Sequence, residues 1–250
     1  MPPPRVARAL SVATLLAAAQ VIGAGCNQAR PDTATAPATA APSGQPPAPV
    51  VPPDSVPDPP GSDALASPHR PRPSLGWTVT VYYTAVERFH SGSTTRVTGC
   101  AELDCANGRA DLGAFPDSFV RAVRDEGTGR TAAGRYLNWS FDVGYWIDEA
   151  PRDSRGSALR PFESAAADTD VIRPDTRFTI ATCGRDEDGS PVAAHVCDRL
   201  RTSRWTITDE FTPGLGGTRS VDVYIGEETG PAFTESPWYA TLHGASLALP

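Results

Sequence analysis

Fourteen of the chain's 26 prolines fall between Pro31 and Pro73. Proline fixes φ and removes a backbone donor, so so dense a run continues neither a helix nor a sheet ladder. Of the 250 residues, only those from Gly76 onward have the composition of a packed domain, and that length suits a single hydrophobic core. Residues 27–75 are Pro, Ala, Ser and Thr with few charges. They cannot bury enough apolar surface to offset their ordering entropy and read as an extended, disordered tether.

The tether follows 26 residues of a different kind: Arg5 and Arg8, an apolar run over 9–22, then Gly23-Ala24-Gly25-Cys26. Positive charge, apolar run and small residues in that order make an export signal. The end of it resembles the lipobox of bacterial lipoproteins, whose cysteine is acylated and becomes the new N-terminus, with Gly23 standing where Leu is usual. Lipidation at Cys26, giving a membrane anchor, and ordinary cleavage, giving a free secreted protein, both fit. The cysteine count favours the anchor, because removing Cys26 from five cysteines leaves an even four. Pairing Cys100 with Cys105 and Cys183 with Cys197 closes two short segments bounded by turn residues, as suits an exported domain. These spacings are not those of zinc knuckles, and His69, His90, His195 and His243 are scattered, so no metal or organic cofactor is implied.

All 22 basic residues are Arg against 29 acidic ones, a net charge of −7 that falls to about −9 without Arg5 and Arg8. That balance leaves no basic patch for nucleic acid. From Gly76 the texture is that of half-buried strands, with alternation over 77–83, 177–180, 204–208 and 221–225. Two short helices interrupt them. Asp117 is placed to cap one that buries Phe119, Val120 and Val123 before Gly127, and Ser190-Pro191 opens another with Val192, Val196 and Leu200 on one stripe. The second sets Cys197 facing the strand that ends at Cys183. Mainly β with short helices and disulfide staples describes an exported barrel or sandwich.

Four stretches in order resemble the three-aspartate (3D) family. They are Thr80-Val81-Tyr82-Tyr83-Thr84, Gly129-Arg130-Thr131-Ala132-Ala133-Gly134, the segment Ala167-Asp168-Thr169-Asp170-Val171-Ile172-Arg173-Pro174-Asp175-Thr176, and the pair Asp209 and Asp222 flanking a Gly-rich loop. The resemblance implies a six-stranded double-psi β-barrel, shared with the membrane-bound lytic transglycosylase A group that cleaves peptidoglycan at the cell wall. It carries Asp168, Asp209 and Asp222 into a catalytic cluster. Tyr83, Thr131, Gly214, Gly216 and Gly217 become substrate-binding candidates, the glycines because they let backbone approach a sugar closely. The sequence departs from the pattern in three places. The loop after Asp209 is about two residues longer and lacks the family's lysine, Asp175 replaces a usual Gly, and residues 135–162, rich in Trp and Tyr, belong to none of the motifs.

Cleaving a glycosidic bond requires a carboxyl that carries a proton when substrate arrives. A free Asp near pKa 3.9 does so in only about one molecule in a thousand at pH 7. Three converging aspartates supply the remedy, since mutual repulsion favours a proton on one of them. By position Asp209 matches the family's catalytic aspartate, first acid and then base, with Asp168 and Asp222 shaping its surroundings. The alternative is a non-catalytic, expansin-like module that stacks polysaccharide on aromatics drawn from Trp77, Tyr82, Tyr136, Trp139, Tyr145, Trp146, Trp205, Trp238 and Tyr239.

Overall fold

A computed structural model describes residues 73–250. The export signal (1–26) with Cys26, and all but the end of the tether (27–75), lie outside the described residues. The elements run β1 (Ser74–Val86), β2 (Thr94–Gly99), β3 (Ala110–Pro116), α1 (Asp117–Glu126), β4 (Thr128–Arg130), β5 (Tyr136–Ser140) and β6 (Gly144–Asp148). They continue with β7 (Ser164–Ala166), β8 (Arg177–Thr182), α2 (Ala194–Thr202), β9 (Trp205–Asp209), β10 (Ser220–Glu227) and β11 (Leu242–Ala248).

Six of the strands close on themselves in the order β1-β10-β7-β9-β8-β11, with β11 returning to β1. The β1–β10 and β7–β9 pairs are parallel and the other four antiparallel. This is the six-stranded double-psi barrel expected from the motifs. Alternate residues point inward: Val79, Val81, Ala165, Ile180, Ile207, Val221, Val223, Leu242 and Leu247 are buried in one core. The residues between them face outward, by the period of two that a strand imposes.

After Tyr82 the register of β1 against β10 shifts, and Ala85 and Val86 pair instead with β4, which begins the antiparallel β4-β5-β6 extension. Buried backbone donors need partners wherever a ladder is interrupted. Two buried glutamates supply them: Glu126 Oε2 accepts from Tyr83 N at 3.2 Å, and Glu228 Oε1 accepts from Val86 N at 2.5 Å. Glu228 Oε1 also lies 2.7 Å from His90 Nε2.

Helix α1 buries Phe119 and Val123 against Gly129. Any Cβ at Gly129 would run into both side chains, which accounts for the first glycine of the Gly-Arg-Thr-Ala-Ala-Gly loop. The N-cap of α1 is Pro116 rather than Asp117. The Asp117 carboxylate instead accepts from the hydroxyls of Ser93 and Thr95 and pins the helix to the β2 side of the β2–β3 hairpin. Helix α2 likewise begins later than expected, because Pro191 pairs across to Arg185 and the helical turn opens only at Ala194. Both expected disulfides are present. Cys100–Cys105, with Cα atoms 5.8 Å apart, closes the hairpin end that bonds to Tyr145 and Ile147 of β6, and Cys183–Cys197, at 5.9 Å, ties the end of β8 to α2.

Candidate functional site

Register places the site. Asp222 on β10 pairs with Thr80 of β1 on one side and Ala166 of β7 on the other, and Ala166 pairs in turn with Asp209 on β9. Cross-strand partners point to the same face, so Thr80, Asp222, Ala166 and Asp209 form one row on the outer wall of the barrel. A register shift between Ala165 and Ala166 brings Asp209 into that row by skipping Thr208. Two residues along on the same face stand Tyr82 and Tyr224, their rings 5.3 Å apart and packed with Leu159.

Asp209 is gripped by donors. Its Oδ1 accepts from Ser154 N at 2.9 Å, Ser154 Oγ at 2.7 Å and Glu210 N at 2.9 Å, and its Oδ2 faces the Tyr82 hydroxyl at 3.4 Å. Burial raises its pKa while these four hydrogen bonds oppose the rise. Asp222 has fewer donors. Burial lifts its carboxyl to about 7, with the nearby charge of Asp209 adding to the rise against hydrogen bonds from Thr80 and the Val223 backbone. Among the described residues its buried Oδ1 has no hydrogen-bond partner, an arrangement that disfavours the ionised form.

A third carboxyl, Asp153, joins them. Asp153, in the turn that follows β6, is 1% exposed. Burial and then the charge of Asp209 raise it to about 6. The Tyr82 phenol sits among all three: burial first, then Asp209 and Asp222, and to a lesser extent Tyr224 and Asp153, hold its proton on. The turn over 153–157, part of the 135–162 segment that none of the motifs accounted for, thus forms one wall of the site. The sequence signal was limited to Asp153-Ser154-Arg155-Gly156-Ser157, a turn composition that says nothing of what the turn touches.

The other expected site residues are distributed differently. The Asp168 carboxylate lies against Gly216, where any side chain would collide with it. Gly214 is exposed at the loop's tip with a φ of +89°, and Gly217 lies beside Ser220. Tyr83 is 3% exposed and belongs to the core, its ring 4.8 Å from Phe233 and 5.8 Å from Tyr239. Thr131 is buried as well, and its hydroxyl donates to the Arg135 carbonyl at 3.0 Å to close a turn. Of the aromatics proposed as a stacking surface, Trp77, Tyr82, Trp146 and Trp205 are buried and the other five half-buried. Trp146 and Trp205 have no exposed surface at all. Glu126 is a further buried acid that sequence reasoning passed over, raised well above its ordinary value first by burial and then by Asp222.

No family model and no curated protein matches the chain. Among solved structures it is similar to the lytic transglycosylase MltA of Escherichia coli with bound chitohexaose, at 13% identity over 69% of this chain and 71% of that one, with a TM-score of 0.44. The membrane-bound lytic murein transglycosylase of Agrobacterium tumefaciens matches at 12% identity over 69% and 73%, with a TM-score of 0.45. MltA of Neisseria gonorrhoeae matches at 14% identity over 70% and 72%, with a TM-score of 0.42.

Proposed function

We propose that the domain cleaves the glycan strands of peptidoglycan as a lytic transglycosylase, with Asp209 as acid and then base. The observation that carries this reading is the pair of carboxyls, Asp209 and Asp222, set on one outer row of the barrel across Ala166, both with raised pKa. A carboxyl whose surroundings favour its proton is what glycosidic cleavage requires. The order of the three-aspartate motifs supports the same reading.

In the proposed reaction, Asp209 gives its proton to the glycosidic oxygen as the bond to the anomeric carbon breaks. The sugar's own C6 hydroxyl then closes on that carbon and returns its proton to Asp209. The product is a 1,6-anhydro sugar, no water is consumed, and the acid is regenerated. Ser154, the Glu210 N–H and Tyr82 stabilise the carboxylate that exists between the two transfers. Asp222, retaining a proton, spares that carboxylate a second charge close by.

The proposal includes export to the cell wall, with the signal, the tether and a lipid anchor on Cys26 carrying the domain outward. Incubating the protein with peptidoglycan sacculi and analysing the soluble products by mass spectrometry tests it. Anhydro-muropeptides released by the wild type and not by Asp209→Asn are expected. Sacculi that stay intact with the wild type would defeat the reading.

A further inference from the structure

We infer that Ser154 is a positioning residue for Asp209, delivered by the 153–157 turn and acting on the acid rather than on substrate. This rests on the reading of Asp209 as the acid, and it concerns residues outside all four motifs.

The turn is built to hold one geometry. Asp153 Oδ1 accepts from Arg155 N at 3.0 Å and Ser157 N at 2.7 Å, while Asp153 N donates to Ser157 O at 2.9 Å and Gly156 N to Asp153 O at 3.0 Å. Arg155 then fastens the turn to β9: its Nε and one terminal nitrogen donate to the Thr208 carbonyl at 2.9 and 2.6 Å. Thr208 is the residue skipped in the β7–β9 register, so its carbonyl is the free anchor next to Asp209. Fixed in this way, Ser154 directs both its backbone N–H and its hydroxyl at the same oxygen, Asp209 Oδ1. Two donors on one oxygen set the carboxyl's rotation and leave Oδ2 toward Tyr82.

Charge acts on Asp209 from several directions. The turn presents Asp153 and Arg155, β10 presents Asp222, and β1 presents Tyr82. Glu210 is the next residue in the chain, and Asp168 follows the Ala167 N–H that bonds the Asp209 carbonyl. Among these, Ser154 favours the Asp209 carboxylate through both of its donors, while the charge of Asp209 raises Asp153.

The Ser154 hydroxyl makes the test. In the full chain carrying 13C-labelled aspartate carboxyls, the resonance absent from Asp209→Asn reports Asp209, and its titration midpoint is followed against pH. Ser154→Ala removes one donor to the carboxylate and is expected to raise the midpoint by about one pH unit. Ser154→Thr keeps the hydroxyl and is expected to restore the wild-type value. Ser154→Gly removes the hydroxyl, keeps the backbone N–H, and is expected to raise the midpoint as Ser154→Ala does. In the sacculus assay the alkaline limb of turnover should move with the midpoint in each variant. A folded Ser154→Ala with an unchanged midpoint overturns the inference, and so does an unchanged midpoint in Ser154→Gly should Ser154→Ala fail to fold. Because the titration needs no turnover, a wild type that leaves sacculi intact defeats the proposed activity while the midpoints still decide the role of the turn.

Discussion

Asp209 and Asp222 share a single cross-strand neighbour, Ala166, which pairs with Asp222 on one side and with Asp209 on the other. Two strand spacings separate their backbones by about 10 Å, and the residue between them carries only a methyl group. The small side chain leaves the two carboxyls facing the same space.

Filling that space is the direct test of the arrangement. Ala166→Leu adds three carbons to a 5% exposed position on the outer wall, and overpacking of this kind typically costs about 1–3 kcal/mol. The barrel core, on the other face, is untouched. We expect a folded protein with normal far-ultraviolet circular dichroism and at least a tenfold loss of glycan release. Ala166→Ser, which adds one polar atom, should retain most of it.

Stability should fall as pH rises from about 4 to about 7. Asp222 titrates near 7 in the fold against an ordinary value of 3.8, and Asp153 near 6. Between the unfolded and folded values the folded chain binds more protons, so the stabilisation is complete below the unfolded value and is lost as pH rises through the folded one. Asp111, Asp117 and Asp148 are shifted downward and act oppositely, but only below about 4. Melting temperature measured from pH 4 to 8 should therefore decline, and Asp222→Asn should flatten the decline and melt higher than wild type at pH 8. A melting temperature that rises over this range would contradict the protonation proposed for Asp222.

Gly216→Ala tests the loop. A Cβ there collides with the Asp168 carboxylate, so the Asp168 side chain must turn away or the loop over 210–219 must move. We expect little change in melting temperature, since Gly216 is half-buried in a loop, with loss of activity that Asp168→Gly partly restores. Loss that no change at Asp168 relieves would place the effect elsewhere.

The Cys183–Cys197 bridge closes a loop of 14 residues between β8 and α2. Constraining the unfolded chain to that extent is worth about 3 kcal/mol. Cys183→Ser with Cys197→Ser should lower the melting temperature by about 8 °C and leave the pH dependence of turnover unchanged.

The barrel was legible where its strands carry alternating valines and isoleucines, as in β1, β9 and β10, because the inward face announces itself by period two. The same parity separates Tyr82 from Tyr83. If Val79 and Val81 face inward, Tyr83 does too, and Tyr82 is left on the outer row beside Asp209, although the motif by itself named Tyr83. Strand β7 was not legible, being three residues of Ser-Ala-Ala with no periodicity, although it holds the centre of the acidic row. Asp209 and Asp222 could be found through motif order. Asp153 could not, since its relation to Asp209 depends on a turn that meets β9 more than 50 residues later in the chain.

The first described strand is clasped between the last two, β10 in parallel and β11 antiparallel. Those contacts join residues more than 140 positions apart, so a long loop must close before the barrel can shut. The closed barrel therefore waits on the C-terminal strands, and contacts this distant in sequence favour slow folding.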